Sequence, residues 1–139
     1  MPKVFVDTDV ILDLFIRREP HHREALRFFS HMKKNKIQSY TSPIVMANIY
    51  YILAKLKTNR YATEKIKKLR NIIGIASVSE KTIDAAIKST QKDFEDSIQY
   101  HCALENEIKY IVTRNVRDYP KEKIRIVLPN EYVKMTAKE

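Results

Sequence analysis

The sequence predicts a three-layer α/β/α fold with a central parallel sheet. Short apolar runs recur at Lys3–Val6, Ile37–Tyr40, Ile75–Val78, Tyr110–Val112 and Ile124–Val127, and segments with helical spacing separate them. Parallel strands need crossovers of that kind, which place helices on both faces of the sheet. The chain has 139 residues, 44% of them apolar, enough for one core but too few for two, so residues 1–139 are expected to form a single domain.

Each element has a local reason. Lys3–Val6 reads as a buried strand, and Val10-Ile11-Leu12 with Leu14-Phe15-Ile16 follows too soon and runs too long for another. That second run is read as a helix. From His21, the residues Ala25, Phe28, Phe29 and Met32 keep the spacing of one helix face, and Pro20 precedes the first turn. Ile37–Tyr40 leads through Thr41 into a helix of about Ile44–Lys57, with Ser42 as its N-cap and Pro43 in its first turn. Because that helix is apolar nearly all round, burial on more than one side is expected, and a second copy of the chain could cover the extra side. Ala62, Ile66, Leu69 and Ile73 mark another helix. Ile75–Val78 is a strand, and Ser79-Glu80 starts a helix carrying Ile83, Ala86 and Ile87. A further helix starts at Asp93, and Pro129–Met135 forms a terminal helical turn.

Composition narrows the function. Lys and Arg number 26 against 17 Asp and Glu, and a net charge of +9 favours a polyanionic partner such as nucleic acid. The one cysteine, Cys102, excludes an intrachain disulfide and a multi-cysteine zinc site, and fits a reducing cytoplasm. His21 and His22 point apart on a helix, which argues against a zinc pair, and His101 and Cys102 read as packing residues. The longest apolar stretch, Pro43 to Ala54, is well short of the roughly 20 residues a membrane span requires. The beginning of the chain lacks a signal-peptide pattern, so a cytoplasmic protein without membrane attachment is expected. A lone glycine, Gly74, is too few for a P-loop or a Gly-rich dinucleotide turn.

Acids fall where a parallel sheet forms sites. Asp7, Asn115 and Asp118 lie at or just after strand ends, and Asp93 and Asp96 lie at a helix start. Each has an ordinary use: Asp93 as an N-cap with Asp96 at the third helical position, Asp7 as another cap, Asp118 in a surface turn. Taken together they imply more. Two carboxylates about 4 Å apart repel by on the order of 4 kcal/mol at an effective dielectric of about 20, and a divalent cation removes that penalty. Mg²⁺ and Mn²⁺ favour such oxygen donors and can act on a phosphodiester.

Three segments, Asp7-Thr8-Asp9-Val10-Ile11-Leu12-Asp13, Asp93-Phe94-Glu95-Asp96-Ser97-Ile98 and Ile111-Val112-Thr113-Arg114-Asn115-Val116-Arg117-Asp118, together resemble the PIN domain, the nuclease fold of VapC-type toxins. The resemblance runs in order over nearly the whole chain. It implies a Mg²⁺- or Mn²⁺-dependent ribonuclease, often dimeric and often neutralised by a small antitoxin. Carried over by position, Asp7 and Asp96 match the family's metal-binding acids, and Asn115 with Asp118 matches its last acidic region. Where the family usually has a glutamate in the helix after the second strand, this chain has Asn48, which offers a carbonyl oxygen but no charge. Asp93 or Glu95 could compensate. Thr8 and Thr113 are candidates to orient water or phosphate, and Arg114, Arg117 and Arg17 to contact phosphate. Lys65, Lys67, Lys68 and Arg70 read as a solvated helix face, and Tyr50 and Tyr51 as helix packing or a dimer seam.

Two other readings are open from the same residues. A PIN-like module that binds RNA or protein without cleaving would explain Asn48. The opening Phe5-Val6-Asp7-Thr8-Asp9-Val10 also resembles haloacid-dehalogenase-type phosphatases, which would make Asp7 a nucleophile, Asp9 an acid/base, and Thr41 or Ser42 a phosphate contact.

Overall fold

The computed structural model describes residues 2–89 and 93–137. Five strands form one sheet: β1 (Lys3–Val6), β2 (Gln38–Thr41), β3 (Gly74–Ile75), β4 (Tyr110–Val112) and β5 (Arg125–Val127). Their order is β3-β2-β1-β4-β5, with every neighbouring pair parallel. The helices are α1 (Thr8–Phe15), α2 (His21–Lys34), α3 (Pro43–Leu56), α4 (Asn59–Arg70), α5 (Glu80–Lys88), α6 (Phe94–Glu105) and α7 (Pro129–Thr136). The expected three-layer α/β/α architecture is what is found.

β1 is central because its apolar run is buried on both faces: Val4, Phe5 and Val6 are all fully inaccessible. Connections from β1 to β2 and β3 run toward one edge, and that from β3 to β4 runs back past β1. Right-handed crossovers in opposite directions place their helices on opposite faces. Accordingly α1, α2 and α7 pack together with α3 beside α1, whereas α5 and α6 form a separate pair with α6 against β4. Strand order reverses between β2 and β4 about β1, so a crevice opens at the carboxyl ends of β1 and β4.

One expectation is corrected. The strand expected over Ile75–Val78 is only Gly74–Ile75, because its partner β2 stops at Thr41, where Ser42 turns the chain into α3. One more ladder bond, Ala76 N–H to the Thr41 carbonyl at 2.8 Å, closes the pairing, and Ser77 has no strand to meet. In α3 one stripe, Val45, Ile49 and Leu53, is buried, while Tyr51, Ile52 and Leu56 are exposed. Met46, Tyr50 and Ala54 are partly buried beside that stripe, and the side carrying Tyr51, Ile52 and Leu56 is the one the described residues leave uncovered.

Cys102 is a packing residue as expected: it is fully buried, and burial pushes its thiol up to about 12. Among the described residues no helix is long and apolar enough to cross a membrane.

Candidate active site

The crevice is built from β1 outward. The Asp7 N–H still donates to the Val112 carbonyl at 3.0 Å, so the residue is held by the ladder just beyond the strand. Its side chain then caps α1: Oδ1 accepts the Thr8 N–H at 2.8 Å. Oδ2 accepts two hydroxyls, from Thr113 at 2.9 Å and from Tyr119 at 2.9 Å. Asp7 is 7% exposed, and burial raises its pKa above the usual carboxylate range while these three donors oppose the rise.

Asp96 arrives on α6 from the other face. Asp93 is the N-cap of that helix, its Oδ1 accepting the Asp96 N–H at 2.9 Å, as the spacing predicts. Gln99, one turn further on, accepts the Ser42 hydroxyl at 2.7 Å, and Ser42 also accepts the Val45 N–H as N-cap of α3. This buried pair fixes the start of α6 against the start of α3. The Tyr119 hydroxyl oxygen lies 3.4 Å from Asp96 Oδ1, so one phenol spans Asp7 and Asp96. Burial, followed by the charges of Asp7, Asp93 and Asp118, pushes the Asp96 carboxyl up to about 7. Burial beside these acids also raises the Tyr119 phenol, which keeps it a donor.

A second set of donors surrounds Asp9. Its Oδ2 accepts the Arg114 N–H at 3.1 Å and the Asn115 amide Nδ2 at 2.9 Å, with the Thr113 hydroxyl 3.3 Å away. Asp9 Oδ1 is buried with no hydrogen-bond partner among the described residues. Burial and the neighbouring Asp7 charge push Asp9 up to about 6.

Thr113 follows β4, its N–H on the Val127 carbonyl at 3.0 Å and its hydroxyl also accepting the Asn115 N–H at 3.0 Å. Thr8 contributes its backbone N–H to Asp7. Asn115 caps a 3₁₀ turn, Val116–Asp118, that carries Arg117 and Asp118 on the surface. Asp118 acts on Asp96 through its charge. The Arg114 guanidinium is held by Asp13, with Nε to Oδ2 at 2.7 Å. Asn48 is half-buried on α3, and its amide makes no hydrogen bond among the described residues. Thr41 donates internally to the Val6 carbonyl at 2.9 Å, and Ser42 to Gln99.

Reasoning from sequence missed the roles of Tyr119, Asp13 and Gln99, and that of Asp9 within this site. Only Asp9 left a signal, the alternation of two acids directly after a strand.

Among the described residues no three or more His, Cys, Asp or Glu side chains converge as a ready metal cage. The donors are all oxygens. An unpartnered buried oxygen on Asp9, itself raised in pKa beside an Asp7 that is also raised, is the chemistry that a hard cation relieves.

Fold and site define an α/β protein with an acid cluster at the switch point of a parallel sheet. A family model described as "PIN domain" matches residues 3–117, and the chain belongs to that family. Membership sets aside the phosphatase reading, and the internal bonds of Thr41 and Ser42 agree. The chain is similar to Ribonuclease VapC1 of Aquifex aeolicus, with 29% identity over 94% of this chain and 92% of that protein. It has the fold of VapBC-1 from nontypeable Haemophilus influenzae, at 14% identity and TM-score 0.72 over 92% of this chain and 98% of that one. The same holds for VapBC2 from Rickettsia felis, solved bound to a DNA fragment from its promoter, at 16% identity and TM-score 0.70 over 89% and 96%.

Proposed function

We propose that this protein is a divalent-cation-dependent endoribonuclease and the toxin of a toxin–antitoxin pair. The observation that carries the reading is the Asp7 carboxylate at the β1 end, joined to Asp96 of α6 through one phenol and held above its ordinary pKa. Asp7 and Asp96 would hold Mg²⁺ or Mn²⁺, with Asp118 adding its charge from the turn after β4, the Asn48 carbonyl as a neutral donor and Asp93 acting through the backbone of Asp96. Bound there, the cation would acidify water and neutralise charge developing on a phosphodiester. Thr113 and Tyr119 orient Asp7, Asn115 and the Arg114 N–H orient Asp9, and the exposed Arg117 offers a phosphate contact beside the site. The net charge of +9 supports RNA as substrate.

The similarity to a ribonuclease supports the activity, and the fold shared with a toxin–antitoxin complex from Klebsiella pneumoniae, at 20% identity and TM-score 0.68, supports an antitoxin partner. The exposed stripe of Tyr51, Ile52 and Leu56 on α3 supports a homodimer, and residues 1–139 act as a single domain in the cytoplasm. A mixed pool of structured and single-stranded RNA, incubated with Mg²⁺, Mn²⁺ or EDTA, tests the proposal. Cation-dependent cleavage that disappears in Asp7→Asn is the expected result. Asn48 favours a second reading, an RNA-binding PIN module without cleavage. Salt-sensitive RNA binding with no cleavage under any cation would select it.

A further inference from the structure

We propose that Tyr119 is the positioning residue of the acid pair: its hydroxyl, held between Asp7 and Asp96, determines which carboxylate oxygens a divalent cation can take. The proposal rests on the cation-dependent reading above. Tyr119 is 3% exposed, and the acceptors recorded for its hydroxyl are two carboxylates, Asp7 Oδ2 at 2.9 Å and Asp96 Oδ1 at 3.4 Å. Ring packing alone would not require that placement, since a phenylalanine would fill the same space.

Counting acceptor sites gives the consequence. A carboxylate oxygen accepts about two donors. Asp7 Oδ2 already has two, the Thr113 and Tyr119 hydroxyls, whereas Oδ1 has one, the Thr8 N–H. Asp7 is thereby turned into a one-oxygen ligand through Oδ1. The same phenol restrains Asp96, whose helix reaches the site from the opposite face of the sheet. Without the hydroxyl, Asp7 loses a donor and Asp96 its contact with the same oxygen, and a cation has to gather the two acids against their own repulsion. Hydrogen bonds that orient metal-binding side chains typically change affinity by about 10–100-fold.

The test is Mn²⁺ titration by calorimetry of the native chain, Tyr119→Phe and Asp7→Asn at one pH, with thermal unfolding in EDTA as a check of fold. Tyr119→Phe keeps the ring, so a merely structural residue would leave affinity unchanged. The expected result is Mn²⁺ binding by the native chain and about tenfold weaker binding by the folded Tyr119→Phe. Equal affinity in the two overturns the positioning role and leaves the cation reading standing. Absence of binding by the native chain removes the cation reading and this proposal with it. An infrared difference spectrum of the native chain, Mg²⁺ minus EDTA, needs no folded variant at Tyr119. Widely split carboxylate bands, lost in Asp7→Asn, are the one-oxygen signature expected; narrowly split, two-oxygen bands overturn it.

Discussion

Arg114 closes a two-point ion pair on Asp13, with Nε to Oδ2 at 2.7 Å and Nη2 to Oδ1 at 3.3 Å, and so ties the loop after β4 to α1. Asp13 is 2% exposed. The grip also sets the Arg114 backbone, whose N–H reaches Asp9 at 3.1 Å. The arginine that the sequence suggested for phosphate is thus a strut of the site. Arg114→Ala should leave a buried carboxylate uncompensated and cost about 3 kcal/mol, the scale of a broken buried pair. Urea unfolding measures it. The double variant Arg114→Met with Asp13→Leu should recover much of that loss, since removing both charges leaves neither one stranded. A recovery no better than Arg114→Ala alone would show that the cost is one of packing.

The acids make stability depend on pH. Asp96 is pushed up to about 7, Asp9 up to about 6, and Asp7 is raised as well. An unfolded aspartate titrates near about 4, so between that value and about 7 the folded chain holds more protons than the unfolded one. Stability must then fall as pH rises across this window. In EDTA, the unfolding free energy is expected to decline from pH 5 to pH 7.5, and Asp96→Asn should flatten the upper part of that decline. A saturating divalent cation, which binds the deprotonated acids, should oppose the decline. Stability that rises over the same window in EDTA would contradict the raised acids.

How far the sequence revealed this site depends on the range of the interaction. Asp7, Asp93 and Asp96 were legible because caps and strand ends are local: Asp7 bonds the next residue, and Asp93 bonds the residue three along. The ends of β1 and β4 were legible because a short buried run stops where the polar residues begin. Tyr119 was not legible, because its partner Asp7 is 112 positions away and nothing near Tyr119 separates a buried phenol from an exposed one. Asp13 was not legible either, because its partner Arg114 is 101 positions away. Likewise, β3 ended early for a reason held in β2, and α3 was apolar on a side that no described residue covers.

Asp93 has two uses that a pair of variants separates. Its carboxylate caps α6 through the Asp96 N–H at 2.9 Å, and its charge lies close enough to raise Asp96. Asp93→Ala should lose the cap and cost about 1 kcal/mol by urea unfolding. Asp93→Asn keeps a capping oxygen and should restore most of that stability, while its lost charge lowers the pKa of Asp96 toward the ordinary range. Carboxyl carbon shifts of Asp96, followed by NMR against pH, report the second effect. If Asp93→Asn is as unstable as Asp93→Ala, the cap is not what Asp93 contributes.

Asn48, proposed above as a neutral donor, is the position where adding a charge tests that role. It is half-buried on α3, the helix whose N-terminus the Ser42–Gln99 bond locks to α6, so its distance from Asp96 is set by buried contacts. Its amide brings no charge, and among the described residues it makes no hydrogen bond that a substitution would break. Asn48→Glu adds one carboxylate. If that residue faces the cation, even a largely screened attraction of about 1.4 kcal/mol would tighten Mg²⁺ binding about tenfold. In EDTA the same change should destabilise the fold, because a further negative charge joins acids that already resist ionisation. Tighter Mg²⁺ binding together with a lower melting temperature in EDTA is the expected pair. A lower melting temperature with unchanged Mg²⁺ affinity would place residue 48 beside the acids but outside the cation's reach, and the charge for catalysis would then rest with Asp7, Asp96 and Asp118.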